Sequence, residues 1–280
     1  MLKIGLSSCG FEINRENLTK IKNAGIENFE ISLPYHKHLE ADYSYIKSCA
    51  DDTGVKIWSC HLPFWGPETM DIASADEEIR ERSVAILTDR IKKGGEVGID
   101  KYILHPSSEP KCQEGEGRER EIDASMRSLY TLAEVACAHG AVIAVEDLPR
   151  SCIGRSADEM LRLLSANDKL RVCLDFNHLL IDTNENFIEK LGDKIITVHV
   201  SDYDFINERH WLPGEGKSDW HELYNKLVSK GYDGIWLYEV AWKAPANIIR
   251  PRDLTPEDFY TNAIEIFNSS HLTVIGTPNV

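Results

Sequence analysis

Four apolar runs in this chain each stop at a side chain able to bind a cation. AVIAVEDLP places Glu146, LRVCLDFNH places Asp175 and His178, IITVHVSDY places His199, and GIWLYEV places Glu239. A short run of β-branched and apolar residues reads as a strand buried on both faces, with the charge at its carboxyl end. Helical stretches separate the four runs. A (β/α)8 barrel turns that succession into one place, because its strand ends converge at a single mouth. Each acid alone could be a helix cap or a surface ion pair; four in consecutive units are neighbours by geometry.

The whole chain continues the pattern through eight strand-then-helix units. KIGLSS (3–8) precedes a helix from Asn14, a cap candidate, to Gly25, and ENFEISL (27–33) precedes a helix closed by Gly54. KIWSCHLP (56–63) leads into a helix at 74–94, and KYILHP (101–106) into one at 118–139. VIAVEDLP (142–149) precedes a helix opened by Ser156, with Glu159 three residues on as a capping box. RVCLDFNH (171–178), IITVHVSDY (195–203) and GIWLYEV (234–240) precede helices at 184–191, up to Lys230, and at 256–268. Such alternation predicts a parallel sheet with helical crossovers. An open doubly wound sheet would carry a glycine-rich phosphate turn after its first strand, and CGFEIN is not one. At 280 residues the expectation is a single TIM-barrel domain over residues 1–280, since such barrels run to roughly 250 residues. The tail SSHLTVIGTPNV carries no signal.

Composition removes several function classes. The 46 acids outnumber 31 Lys and Arg, for a formal charge of −15. That surface repels a phosphate backbone, so no nucleic acid partner is expected. No apolar run approaches the ~20 residues of a membrane helix, and MLKIGLSS does not read as a secretory signal. Seven widely spaced cysteines with no Cys-x-x-Cys pair read as reduced thiols, mostly in the core of a cytoplasmic protein. Nucleotide-binding loops, a Gly-x-Ser-x-Gly elbow and a strand ending in lysine are all absent from the sequence.

Glu146, Asp175, His199 and Glu239 form the expected metal set. Three carboxylates and one imidazole suit one divalent ion, Mn2+ foremost, with Co2+, Mg2+ and Zn2+ also compatible. His178, three residues after Asp175, either contacts substrate or a further metal, or orients Asp175. His61 and His105 end strands three and four and face the same mouth. In the polar loop from Glu208 to Gly216, Arg209 and His210 are expected to reach inward, whereas Glu208 and Glu215 read as solvated turn acids. Trp65, with Phe64 and Trp242, could stack on a sugar. Glu30 divides between a site residue and a surface acid. Arg209 and Lys243 are the evident cations near the mouth, which disfavours a phosphorylated substrate. Glu146 and Glu239, from strands five and eight on opposite sides of the mouth, are the expected acid/base pair.

These residues resemble the xylose isomerase-like barrel superfamily, which takes in sugar isomerases and epimerases, inosose dehydratases and endonuclease IV. The resemblance covers essentially the whole chain and is strongest from 142 to 240. It implies the ketose 3-epimerase ligand set at Glu146, Asp175, His199 and Glu239, with His178 touching substrate. The family's H-V-x-D signature stands here as His199-Val200-Ser201-Asp202, and its H-x-x-P-G-x-G turn as His210 to Gly216. The implied activity is a metal-dependent isomerase or epimerase of a small carbohydrate, with room for a homo-oligomer. Endonuclease IV shares the framework but holds three zinc ions. Counterparts of its ligands stand at His61, His105, Glu146, Asp175, His178, His199, His210 and Glu239, with Glu208 in place of an Asp. That leaves a zinc phosphodiesterase as the alternative, and a dehydratase of an inosose or dehydroshikimate-like acid as a third reading of the same metal site.

Overall fold

The computed structural model describes residues 1–66, 68–269 and 271–280. Its eight parallel strands are β1 (Lys3–Ser7), β2 (Asn28–Ile31), β3 (Lys56–His61), β4 (Lys101–Leu104), β5 (Val142–Glu146), β6 (Arg171–Asp175), β7 (Ile195–His199) and β8 (Ile235–Tyr238). They pair in chain order from β1 to β7, and β8 pairs with β1. The ring closes just past the named strands, where Val200 N–H donates to the Leu237 carbonyl at 2.8 Å and Glu239 N–H to the Val200 carbonyl at 3.1 Å. The result is the TIM barrel expected from the alternation.

Nine helices are found among the described residues: α1 (Arg15–Asn23), α2 (Tyr35–Leu39), α3 (Tyr43–Thr53), α4 (Glu77–Gly95), α5 (Gly115–Ala138), α6 (Ala157–Leu164), α7 (Asn184–Leu191), α8 (Trp220–Ser229) and α9 (Pro256–Asn268). None is long and apolar enough to cross a membrane. Their starts follow side-chain chemistry. Asn14 caps α1 by accepting from Asn17 N–H, and Asp76, rather than Ser74, caps α4. At α6 the Ser156 hydroxyl does accept from Glu159 N–H. The Glu159 carboxylate does not complete the expected box, because Arg118 captures both of its oxygens at 2.6 and 2.7 Å. A reciprocal box forms instead at α9, between Thr255 and Asp258.

Side chains alternate across each strand with a period of two. Ile103, Ala144 and Cys173 form a small apolar cluster separate from the main core. Two residues onward along the same strand faces come His105, Glu146 and Asp175, so the barrel interior changes from apolar to ionisable at its upper layer. Lower down, Trp58 donates to Thr197 Oγ1 at 3.0 Å, and Lys101 Nζ lies 3.5 Å from the Trp58 ring centroid. The outer core is packed by residues such as Phe29, Phe176, Trp220 and Trp236.

The tail belongs to the fold, which its sequence did not indicate. A short antiparallel pair, β9 (Ile248–Ile249) with β10 (Thr277–Pro278), ties it down. Glu215 corrects the expectation of a solvated turn acid. It is fully buried against Arg250, with contacts of 2.9 and 2.7 Å, a partner 35 residues away.

Asp202 organises the loop that follows β7. Its Oδ1 accepts N–H bonds from Tyr203 and Ser218, and its Oδ2 accepts from Gly214, Gly216 and the Trp220 indole. Glycine is needed at 216, because a Cβ there would collide with the Asp202 carboxylate and the Tyr203 carbonyl. A carboxylate surrounded by donors can be replaced by an amide only by turning an NH2 toward them. Asp202→Asn is therefore expected to cost about 2–3 kcal/mol of stability in chemical denaturation. An unchanged midpoint would remove Asp202 from this role.

Candidate metal centre and active-site cavity

The strand ends deliver their side chains to one buried group. Ligand atoms of Glu146, Asp175, His199 and Glu239 all lie within 4.8 Å of one another. Glu146 Oε1 is 2.8 Å from His199 Nδ1, and Glu239 Oε2 is 3.4 Å from the same nitrogen. The other Glu146 oxygen, Oε2, meets His61 Nε2 at 3.0 Å and His105 Nε2 at 3.1 Å. Asp175 Oδ1 accepts from Asn177 N–H, while its Oδ2 is buried and accepts no hydrogen bond. Three buried carboxylates in one group, one with an oxygen that accepts no hydrogen bond, form a donor set in want of a cation. The residues fit a divalent ion with oxygen-rich coordination.

Their protonation tendencies differ. Burial pushes the Glu146 carboxyl up, but His199 and His105 outweigh it and hold it well below the carboxylate range. Burial raises Glu239; His199 opposes this and the Glu146 charge reinforces it. Burial opposes the charged form of His61, yet its contact with Glu146 lifts it to about 9. His178 also reaches about 9, since Asp175, Glu146 and Asp147 together overcome its burial. His105 goes the other way, lowered by burial.

Two histidines are held by backbone carbonyls. His61 Nδ1 lies 2.9 Å from the Leu62 carbonyl and His178 Nδ1 lies 2.8 Å from the Asp147 carbonyl, which directs each Nε2 inward. His178 Nε2 is 3.4 Å from Asp175 Oδ2 and 3.5 Å from Glu208 Oε2. His210 has a positive φ of 53°, and its Nδ1 is 3.9 Å from Glu239 Oε2. Asn177, unnoticed in the sequence, holds this segment by accepting from the amides of Arg209 and His210 at 2.7 and 3.3 Å. Its position inside the Asp175-x-x-His178 turn was the available signal.

A cavity of about 500 Å3 opens above the carboxylates, lined by His61, His105, His178, His210, Glu146 and Glu239 among others. Trp65 also lines it and stacks on Tyr35 at 5.6 Å, and Phe64 stacks on His105 at 4.2 Å. Trp242 packs on Phe11 instead. Glu30 is no surface acid: it is fully buried beneath His199.

Arg209 does not reach the cavity. Asp204 captures its guanidinium, with contacts of 2.9 and 2.7 Å, and the Trp211 ring lies alongside. Lys243 is likewise not among the lining residues. The arginine that does line the cavity is Arg150, which sequence reading missed because it lies in an aperiodic loop. Its backbone has a φ of 53°, and it joins three loops through Glu109 at 2.8 Å, Glu208 at 2.9 Å and Asn207 at 2.9 Å. Glu208, expected in solvent, therefore lines the cavity beside it.

The chain belongs to the family described as the xylose isomerase-like TIM barrel, whose model matches residues 18–262. It is 27% identical over 245 residues to an uncharacterised protein of Methanocaldococcus jannaschii, covering 84% of this chain and 82% of that one. A protein named probable endonuclease 4, from Thermoplasma acidophilum, is 29% identical over 168 residues, or 54% of this chain and 56% of its own length. Among solved structures, a D-tagatose 3-epimerase-like protein matches with a TM-score of 0.73 and 26% identity, covering 86% of this chain and 91% of that one.

The Arg209 contact makes a pH prediction. Burial alone would raise Asp204, but the Arg209 guanidinium and two loop amides lower it to about 2. A depressed acid stabilises the fold above its unfolded value of 3.8 and loses that contribution as pH falls toward 2. Arg209→Ala should cost roughly 1–2 kcal/mol at pH 6, with the gap to the parent closing as pH drops from 4 toward 2. Denaturation curves that stay parallel across that window would contradict the assignment.

Proposed function

We propose that this chain is a metal-dependent sugar isomerase or epimerase acting on a small ketose or related carbonyl compound. The observation that carries the reading is the pair Glu146 and Glu239, two buried carboxylates from different strands that share one cation-binding group and both line the cavity above it. The proposed ion is a single divalent cation, Mn2+ first. Bound there, it would supply electrostatic stabilisation to the oxyanion that forms when a carbon next to a carbonyl loses its proton.

The chain's own groups handle the proton. Glu146, fixed by three imidazoles, and Glu239, beside His199 and His210, are placed as the acid/base pair: one takes the proton and the other returns it. Strands β5 and β8 are separated by β6 and β7 on one side and by four strands on the other, so the two carboxylates approach from well-separated directions rather than straight across. Removal on one face and return on the other inverts the carbon, and transfer along one face shifts the carbonyl. His105 on Glu146 Oε2 is placed to relay the abstracted proton, His61, His178 and His210 also line the cavity, and Trp65 offers an apolar face to the sugar. Dehydration of an inosose-like compound would begin with the same abstraction. The similarity to a D-tagatose 3-epimerase-like protein supports the epimerase reading.

A second reading rests on its own observation. Two further ligand groups flank the central one: His61, His105 and Glu146, and His178, Glu208 and His210. They suit a three-zinc phosphodiesterase, and the similarity to the probable endonuclease 4 supports it. Against it stand the −15 formal charge and the cavity's cations. Among the described residues, Arg150 is the one Lys or Arg lining the cavity, and two carboxylates already neutralise it. A phosphate backbone needs free cations.

Glu146→Gln and Glu239→Gln should each lower turnover of a ketose substrate by roughly 10²–10⁴ without loss of the fold. Solvent deuterium should enter the product at the reacting carbon. Near-parental activity in either variant, or cleavage of abasic DNA as the only activity found across a ketose and inosose screen, would overturn the proposal.

A further inference from the structure

A fourth carboxylate lies below the ligand set and takes no part in the reaction described above. Glu30, in the middle of β2, is fully buried. Both of its oxygens face one atom, His199 Nε2, at 3.1 and 3.2 Å. Its Oε2 also accepts from Ser59 Oγ at 2.7 Å, and its Oε1 has no further hydrogen-bond partner. The barrel layer beneath holds the apolar Ile103, Ala144 and Cys173 together with the Trp58–Thr197 hydrogen bond and Lys101. An ionised side chain in such surroundings is costly to bury and would not be placed there for packing.

The chemistry of the imidazole supplies a reason. His199 turns Nδ1 toward Glu146 and Glu239 and Nε2 toward Glu30. A neutral imidazole carries its single N–H on one nitrogen and a lone pair on the other. Carboxylates flank both nitrogens, Glu146 Oε1 at 2.8 Å from Nδ1 and Glu30 at 3.1 and 3.2 Å from Nε2. A cation that takes the Glu146, Asp175 and Glu239 oxygens needs the lone pair at Nδ1, and Glu30 is then the acceptor that holds the N–H at Nε2. We infer that Glu30 is the positioning residue of the metal centre: it selects the His199 tautomer that presents Nδ1 to the cation and fixes the plane of the ring. Ser59 fixes Glu30 in turn.

This inference rests on the reading that Glu146, Asp175, His199 and Glu239 hold a divalent ion, and its test separates the two. Glutamine at position 30 keeps the shape but can donate as well as accept, so it tolerates either tautomer. With Mn2+ as the probe and a competing chelator as the readout, Glu30→Gln should weaken binding 10–100-fold, while Ser59→Ala, which leaves the charge in place, should change it by less than Glu30→Gln does. The tautomer itself is visible by imidazole 15N NMR of the parent protein loaded with Zn2+, which does not depend on any variant folding. Protonated Nε2 with the metal on Nδ1 is expected. Metal on Nε2, or Mn2+ affinity in a folded Glu30→Gln equal to that of the parent, would overturn the role of Glu30 alone. A parent protein that binds no Mn2+ would overturn the metal reading and this inference with it.

Discussion

Three carboxylates meeting in one buried group repel one another, and the upper half of this barrel is arranged around that repulsion. Glu146, Asp175 and Glu239 stand at the ends of three different strands, so the sheet itself holds their backbones close together. Like charges that close, in low dielectric, demand compensation. The structure supplies part of it with imidazoles: His199 between Glu146 and Glu239, His61 and His105 on the far Glu146 oxygen, His178 beside Asp175. Asp175 Oδ2 has His178 Nε2 at 3.4 Å but accepts no hydrogen bond, so compensation is incomplete in the protein alone. A divalent cation completes it, and the ion's charge then becomes the chemical resource of the site.

Holding the walls of the cavity costs the backbone something. The non-glycine residues with positive φ among those described are Arg150, Phe205 and His210, all in the loops after β5 and β7 that form the mouth. Such conformations cost of order 1–3 kcal/mol each and persist only where their surroundings over-determine them. Here the over-determination can be named. Asn177 holds the amides at Arg209 and His210, Asp202 gathers five donors around itself, and Glu109, Asn207 and Glu208 clamp Arg150. Rigid strands place the ligands, and strained but well-tied loops place the groups that would face a substrate.

The parts of this arrangement visible in the sequence are those written as periodicity. Eight apolar runs broken by helical stretches specify the barrel, and a charge at the end of a run specifies a side chain at the mouth, which is why Glu146, Asp175, His199 and Glu239 could be grouped before any coordinates. Glu30 was half hidden because its charge falls in mid-strand, and only the pleat of β2 and the closure of the ring show that it points inward. Arg150 sits in a loop with no period, so its direction depends on partners 41 and 58 residues away in the chain. Arg209 looked like the free cation because Asp204 was not recognised as its partner. Glu215 looked solvated for the same reason, its arginine lying 35 residues on in the chain, just after the short β9 strand. Pairings between loops are set by tertiary geometry, and linear pattern carries little of that.

The account depends most on a cation among four named side chains. Anomalous scattering from a crystal grown with Mn2+ tests this directly, because the metal's position is read independently of any assumed substrate. The account predicts one strong peak within bonding distance of Glu146, Asp175, Nδ1 of His199 and Glu239. No peak there, or occupancy confined to the His178, Glu208 and His210 group, would contradict it.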